Sequence, residues 1–466
     1  MIGMSYHDFL AQKRVVDPMT GMSGARVLPK VLKPHQRDIV SWALRRGRAA
    51  VFAGTGLGKT LVELVFAREV AAFTGRPVLI FAPLAVAQQH IREAEKFGLS
   101  ATITRTQQDV AHIAVAVTNY QKIEHFEIAE FGGIVLDESS ILKSKDGHYR
   151  NAIIEQCANV PFRLAATATP APNDFMELGN HAEFLGIMSY SDMLATFFVH
   201  DGGETQKWRL KGHAENEFWK WMASWAVMIR KPSDLGYDDA GYDLPELRQV
   251  QHTVNVAHEA SIETGFLFPM QANGLSERLA ARRDSVQERV DMAIAITPSD
   301  RPFVWWCNLN SESESLTKAI PGAVETKGSD PDDVKERKLN DFSQGKIRVL
   351  VTKPSVAGWG MNWQHCADTG FVGLSDSFEQ VYQAIRRFWR FGQTRPVTAH
   401  FIAAETEGAV IANLRRKEQD AERMASAMVR HMADLSIANV RGMVRDRPDY
   451  NPQNPMIIPD FLEMVS

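Results

Sequence analysis

Residues 53–60 read AGTGLGKT, a glycine-rich octet between an apolar run at 49–53 and a helical pattern over 60–73. Glycines 54, 56 and 58 allow the sharp turns that point successive backbone N–H groups inward, with Thr55 and Leu57 completing the loop. A loop of this kind cradles phosphate oxygens. Lys59 then reaches the outer phosphates, and the Thr60 hydroxyl is placed to ligate Mg²⁺. The helix that begins there adds the positive end of its dipole. Strand, loop and helix in this order predict an α/β domain that holds a nucleoside triphosphate.

Further short apolar runs lie at 78–82, 113–117, 134–136 and 164–166, several of them separated by helical patterns. This alternation predicts a parallel sheet with helices on its faces. Pro83, Thr118, Asp137 and Thr167 directly follow those runs, as Gly54 follows the first. They therefore fall at the carboxyl ends of strands, where open α/β sheets bind ligands. The strand pattern returns at 303–307, 348–352, 371–374 and 397–402, so the two halves read as variants of one layout. Between them, Trp208, Trp219, Trp221 and Trp225 among Lys, Glu and Met residues suggest helices joining two lobes, and DLGYDDAGYDLPEL (234–247) reads as a turn-rich boundary. The expected division is an N-terminal extension (1–30), a nucleotide-binding lobe (31–185), a helical linker or insertion (186–245), a second lobe (246–405), and a helical extension with a Pro-marked tail (406–466).

IVLDESS at 134–140 ends an apolar strand in Asp137-Glu138. Asp137 is suited to holding Mg²⁺, usually through water, and Glu138 to orienting and deprotonating an attacking water. LKPHQRDIV at 32–40 places Gln36 ahead of the phosphate loop. Its carboxamide can pair both hydrogen-bonding edges of adenine, and no guanine-reading NKxD pattern is apparent, so the nucleotide is expected to be ATP. QAIRRFWRFGQ at 383–393 sets Arg387 and Arg390 three apart near the end of a predicted helix, with Asp376 and Glu379 as a capping pair at its start and Gly392-Gln393 closing it. Transfer of a phosphoryl group spreads negative charge over its oxygens, and an always-charged planar guanidinium stabilises it. Arginines supplied from a second lobe would make hydrolysis depend on closure. Arg386 points elsewhere on a helix and is assigned a structural or DNA-facing role.

With 466 residues, 45% hydrophobic and 23% charged, the chain has room for about three domains with real cores. A net charge of −4 excludes a uniformly basic surface, so any nucleic-acid contact must come from a local strip. Cys157, Cys307 and Cys366 are scattered and form no CxxC pair, which argues for reduced buried thiols rather than disulfides or zinc. The N-terminal MIGMSYHDFLAQKRVV has no continuous apolar segment, and no run reaches about 18 apolar residues. No signal peptide, membrane span or membrane partner is expected, and the expected compartment is the cytoplasm.

Taken in order, Gln36, AGTGLGKT, FAPLAVAQQ (81–89), VTNYQKI (117–123), DESS, ATATP (166–170), SVAGWGMNWQ (355–364) and QAIRRFWRFGQ resemble the superfamily 2 helicase motors. Within them the chain looks like the Swi/Snf-like branch, in the compact form found in phages and prophages, and the resemblance covers about 30–405. DEAD-box proteins carry a different second motif and lack the closing Gly-Gln pair. The junction IRKPSDLGY…DLPEL (229–247) is also similar to that branch. The resemblance implies two RecA-like lobes, α/β parallel sheets flanked by helices, with ATP and Mg²⁺ between them. It implies that Lys59, Asp137, Glu138, Arg387 and Arg390 carry catalysis, Thr60 and Asp137 hold the metal, and Gln36 with residues 54–60 binds the nucleotide. Thr167 and Thr169 would couple the phosphate state to lobe movement. Gly358 and Gly360, with Asn362, would help close the second lobe on ATP. Ala53 stands where the loop commonly starts with Gly, a tolerated departure. Histone-reading modules and large insertions are absent, so no chromatin role is implied.

The implied activity is an ATP-driven translocase or helicase gripping DNA, expected to be duplex, by its backbone in a bacterial or phage-infected host cytoplasm. Lys143, Lys145, Thr118, Asn119, Lys353 and Arg395 are the candidate DNA contacts, and Trp305, Trp306, Trp359 and Trp389 are expected in cores rather than stacked on bases. Three alternatives stay open: a strand-separating helicase on DNA, or after it RNA; a non-hydrolysing DNA-binding scaffold; and a motor subunit of a restriction or defence complex. Replication or recombination proteins are the partners considered.

Overall fold

The computed structural model describes residues 19–24, 26–143, 147–172, 174–200, 208–255, 283, 285–357, 361–374, 377–405 and 408–441. The strands are β1 (Arg48–Ala53), β2 (Val78–Ala82), β3 (Thr102–Ile103), β4 (Val115–Asn119), β5 (Gly133–Asp137), β6 (Phe162–Thr167), β7 (Phe198–His200), β8 (Trp208–Leu210) and β9 (Ala226–Ile229) in the first half. The second half contributes β10 (Leu247–Val254), β11 (Phe303–Trp306), β12 (Ala323–Glu325), β13 (Val349–Thr352), β14 (Asp368–Phe371) and β15 (Val397–Ala404). Two sheets result. The first has seven strands in the order β3-β4-β2-β5-β6-β1-β9, and the second has six in the order β10-β15-β14-β11-β13-β12. Pairing is parallel throughout both. β1, β2, β5 and β6 are continuous apolar runs rather than alternating ones because helices cover both faces of the sheet. Each sheet separates two apolar cores, the arrangement of a RecA-like lobe.

Two features depart from the sequence reading. Residues 186–245 were expected as a helical linker or insertion, yet β9 within them pairs in parallel with β1, Ala50 opposite Ala226 and Ala53 opposite Ile229. The helix Glu215–Trp225 before it buries Phe218, Trp219, Trp221 and Trp225 against the same lobe. This stretch therefore completes the first lobe, together with the antiparallel hairpin β7–β8. The N-terminal segment is likewise no appendage where it is described, since Met22 and Leu28 are buried in the first-lobe core.

The expected one or two helices over 406–438 form a single helix, Gly408–Arg441. Its first turns bury Val410, Ile411 and Leu414 in the second lobe. Farther along, Met428 and Met432 enter one core of the first lobe and Val440 enters the other. Each such fully buried side chain contributes about 1.5–3 kcal/mol. The helix thus starts on one lobe and ends in the other. Arg230 clamps it from the first lobe by pairing with Glu422 at 2.6 Å and donating to the Ser426 hydroxyl at 3.0 Å. Among the described residues no helix is long and apolar enough to cross a membrane, and Cys157, Cys307 and Cys366 are buried free thiols.

Candidate functional site

The first-lobe half of the site is built from three strand ends. The octet follows β1, Asp137 ends β5 and Thr167 ends β6, and in the sheet β5, β6 and β1 are consecutive. Motifs far apart in sequence therefore lie within two strand spacings, roughly 10 Å. Gly56 and Gly58 have φ of +90° and +81°. A Cβ on Gly58 would lie 2.2 Å from Gln36 Nε2, and one on Gly56 would lie 2.9 Å from Phe391 Cδ2. The loop is consequently lined by the first-lobe glutamine on one side and by the second lobe on the other. Lys59 Nζ folds over it and donates to the Ala53 carbonyl at 2.9 Å.

Gln36 is buried at the start of the helix Pro34–Arg46. Its Oε1 accepts from Lys33 N at 3.0 Å and its Nε2 donates to Leu57 O at 2.9 Å. These bonds orient the carboxamide and leave one lone pair and one N–H unused. One acceptor and one donor side by side are what an adenine edge requires.

Asp137 lies among buried titratable groups. His90 Nε2 is 3.0 Å from Glu63 Oε2 and 3.7 Å from Asp137 Oδ2, while His90 Nδ1 donates to Val86 O at 3.2 Å. Burial and the facing Glu63 carboxylate push Asp137 up to about 7, against the pull of His90 and Lys59. Burial lowers His90, but the Glu63 hydrogen bond and the charges of Asp137 and Glu63 prevail and raise it to about 9. Glu138 sits at φ +56°, a left-handed conformation costly for a side-chain-bearing residue and most often kept at functional sites. Its Oε2 accepts from the Thr167 hydroxyl at 3.2 Å, and Thr167 Oγ1 in turn accepts from Thr169 N at 3.1 Å. Burial raises the Glu138 carboxyl, with Asp137 adding to it and Lys59 and Arg387 opposing. A carboxylate shifted this way is better suited to take a proton. Thr60 and Asp137 line the same cavity. A hydroxyl and a carboxylate are hard oxygen donors, a set that suits Mg²⁺ with phosphates and waters supplying the rest.

The second lobe supplies the arginines, though not from a helix. The helix Phe378–Ile385 ends before them, so Arg387 and Arg390 lie on the turns that follow. The helix is capped by Ser377, whose hydroxyl accepts from Gln380 N, and not by the expected Asp376–Glu379 pair, of which Asp376 lies outside the described residues. Arg387 is 2% exposed. It donates to Gln383 O at 2.9 Å, Gln383 Oε1 at 3.0 Å and Met361 O at 3.3 Å. A guanidinium has five N–H groups, so these bonds fix its plane and leave donors for a phosphate. Burial and the neighbouring Arg390 lower Arg387 to about 10, while Glu138 and Asp137 act the other way. Arg390 lies across from Glu93 of the first lobe, whose charge opposes the lowering that burial imposes.

These residues share one cleft. Gln36, Thr55, Gly56, Gly58, Lys59, Thr60, Asp137 and Glu138 from the first lobe and Arg387 and Arg390 from the second line a cavity of about 210 Å³. Gly54 and Leu57 belong to the loop itself. A larger cavity, about 1080 Å³, lies between the lobes and the Gly408–Arg441 helix; Phe378, Tyr382 and Trp389 are among its walls.

Other expected positions are placed as follows. Gly358, Gly360, Trp359 and Lys145 lie outside the described residues. Asn362 is exposed next to Trp363, whose N–H donates to Arg387 O at 2.9 Å. Lys143 pairs with Glu379 across the lobes. Lys353 donates to Asn310 Oδ1 at 2.7 Å, and Arg395 to His365 O at 2.6 Å. Thr118 is buried. Trp305 and Trp306 are fully buried, and Trp389 donates to Pro245 O at 2.6 Å. Arg386 lies over the rings of Tyr382 and Trp389, 5.0 and 4.3 Å from their centroids. Residues that the sequence reading passed over are Glu63, His90, Tyr120, Phe391 and the internal role of Gln393. A charged residue one turn beyond Lys59, inside the otherwise apolar LVELVFA, was the one available signal for Glu63.

The chain is similar to known proteins in sequence and in structure. Residues 33–178 match the family model of the DEAD/DEAH box helicases. Protein p41 of Acyrthosiphon pisum secondary endosymbiont phage 1 is 25% identical over 444 residues, covering 80% of this chain and 93% of that protein. The Sulfolobus solfataricus SWI2/SNF2 ATPase core, solved in complex with double-stranded DNA, is 18% identical with a TM-score of 0.40 over 89% of this chain and 97% of that one. The family match falls on the first lobe.

Proposed function

We propose that this chain is an ATP-dependent motor of the Swi/Snf-like branch of superfamily 2 that translocates on duplex DNA. The observation that carries the reading is the composite cleft: Lys59, Asp137 and Glu138 from one lobe face Arg387 and Arg390 from the other. Gln36 reads the adenine. Lys59 and the loop N–H groups hold the phosphates. Mg²⁺ held at Thr60 and Asp137 supplies charge neutralisation on the phosphate oxygens. Glu138 takes the proton of the attacking water, and the arginines stabilise the charge that spreads over the transferring phosphoryl group. Because that charge is met by both lobes, each turnover favours the closed arrangement and its release favours opening. The DESS pattern and the closing Gly392-Gln393 support the Swi/Snf-like placement, and with it translocation ahead of strand separation.

The test is ATP turnover measured without nucleic acid, with duplex DNA, with single strands and with RNA, alongside triplex-displacement and strand-displacement assays. Stimulation greatest with duplex DNA, together with triplex displacement but no strand separation, is the expected result. Equal turnover in all four conditions sinks the motor reading, and strand displacement turns it into a helicase.

A further inference from the structure

Asp137 is approached from two sides by residues to which the sequence reading gave no role. On its backbone side, the Tyr120 hydroxyl donates to the Asp137 carbonyl at 2.6 Å, with the Tyr120 ring stacked on Phe81. On its carboxylate side stands the His90 ring. His90 comes from the helix Leu84–Lys96 and Glu63 from the helix Lys59–Thr74, one turn past Lys59. Both are fully buried.

We propose that His90, anchored by Glu63, is the positioning residue that sets the Asp137 carboxylate for Mg²⁺; this rests on the Mg²⁺–nucleotide reading of the cleft. The imidazole is fixed at both nitrogens. Nδ1 donates to the Val86 carbonyl one helical turn back, and Nε2 meets Glu63 Oε2. A ring clamped in this way has one orientation, and in that orientation it stands 3.7 Å from Asp137 Oδ2. That distance is beyond hydrogen-bond length, so the ring acts on Asp137 Oδ2 by close contact and charge, and an outer partner so placed biases which oxygen of the carboxylate faces the ion. A packing role alone does not account for the arrangement. Glu63 Oε1 is buried with no hydrogen-bond partner, a polar cost that apolar side chains at 63 and 90 would avoid. The direct nitrogen–oxygen contact of 3.0 Å is the length of a hydrogen bond, so the group is closed on itself and not arranged as a separate metal cage.

The experiment titrates MgCl₂ against the full chain with a fluorescent non-hydrolysable ATP analogue, and repeats analogue binding in EDTA. For His90→Ala the Mg²⁺ concentration at half-maximal binding rises on the order of ten- to a hundredfold, while binding in EDTA is unchanged. His90→Gln, which keeps one donor for Glu63, falls between wild type and His90→Ala. Glu63→Gln preserves volume and serves if His90→Ala fails to fold; it shifts the same midpoint in the same direction. An unchanged Mg²⁺ midpoint in the folded variants overturns the assignment. Equal weakening with and without Mg²⁺ also overturns it, because that is the signature of general damage to the lobe. Stoichiometric transition metal bound to wild type and lost in His90→Ala would make His90 a ligand instead. If wild type itself shows no Mg²⁺-dependent binding, the reading of the whole cleft fails, which is distinct from a normal wild type with indifferent variants.

Discussion

Arg387 shows how a single residue is made ready by its neighbours. Three hydrogen bonds to Gln383 and Met361 fix its plane. The turn that carries it is held in its own right. Gln393 Nε2 donates to Gln364 O at 2.9 Å, and Gln393 Oε1 accepts from Thr394 N at 3.0 Å and Arg395 N at 3.1 Å. Gln364 Nε2 closes the circuit on Phe391 O at 2.6 Å, and Gly392 at φ +94° supplies the bend. The Gly392-Gln393 pair is therefore a structural staple for the arginine turn. Arg387→Ala should lower kcat by about a thousandfold or more while nucleotide affinity stays near wild type. Single-turnover hydrolysis with a parallel binding titration checks this. Comparable turnover in the two proteins would mean that Arg387 stabilises the lobe and not the transferring phosphate.

Among the elements, the Gly408–Arg441 helix departs most from its expected role. Its amphipathic pattern was readable, but not which surface its apolar face meets. Met432 lies wholly within a first-lobe core, and His431 stacks on Trp219 with centroids 5.3 Å apart. Met432→Ala should cost about 2–5 kcal/mol of first-lobe stability. A lower chemical-denaturation midpoint, with Arg423→Ala left at the wild-type value, is the expected result; identical midpoints would show that the helix is dispensable to that core. The same limit on sequence reading explains β9. AVMI at 226–229 continues the apolar pattern of a Trp-rich helix, and only its register against β1, some 175 residues earlier, makes it a strand. β1, β2, β5 and β6 were readable because each is a short apolar run ending in a residue with chemical purpose. Glu63 and His90 were not, because each is a polar residue on a helix and its meaning comes from a neighbour on another element.

At the scale of the whole molecule, polar side chains among the described residues link the two lobes. Arg92 donates to Asn340 Oδ1 at 2.9 Å, and Lys143 pairs with Glu379. The second contact bears on how nucleic acid would be gripped. Lys143 follows DESS and is a candidate DNA contact, yet here its charge meets a carboxylate of the opposite lobe. The Lys143 side chain is 39% exposed and Glu379 only 4%, so solvent screens the lysine end of the pair and weakens it. A phosphate of similar charge can take the place of Glu379, and the exchange would trade a contact between lobes for one with the track. Glu379→Gln removes the competitor while keeping its shape. The DNA concentration for half-maximal ATPase stimulation should then fall by up to about fivefold at low salt, the equivalent of roughly 1 kcal/mol. The slope of log affinity against log salt should steepen by about one, because one more lysine displaces a counterion. Lys143→Ala should reverse both effects, and a double variant should match Lys143→Ala alone. If Glu379→Gln leaves the half-maximal concentration and the salt slope untouched, Lys143 is a hinge contact and DNA does not reach it.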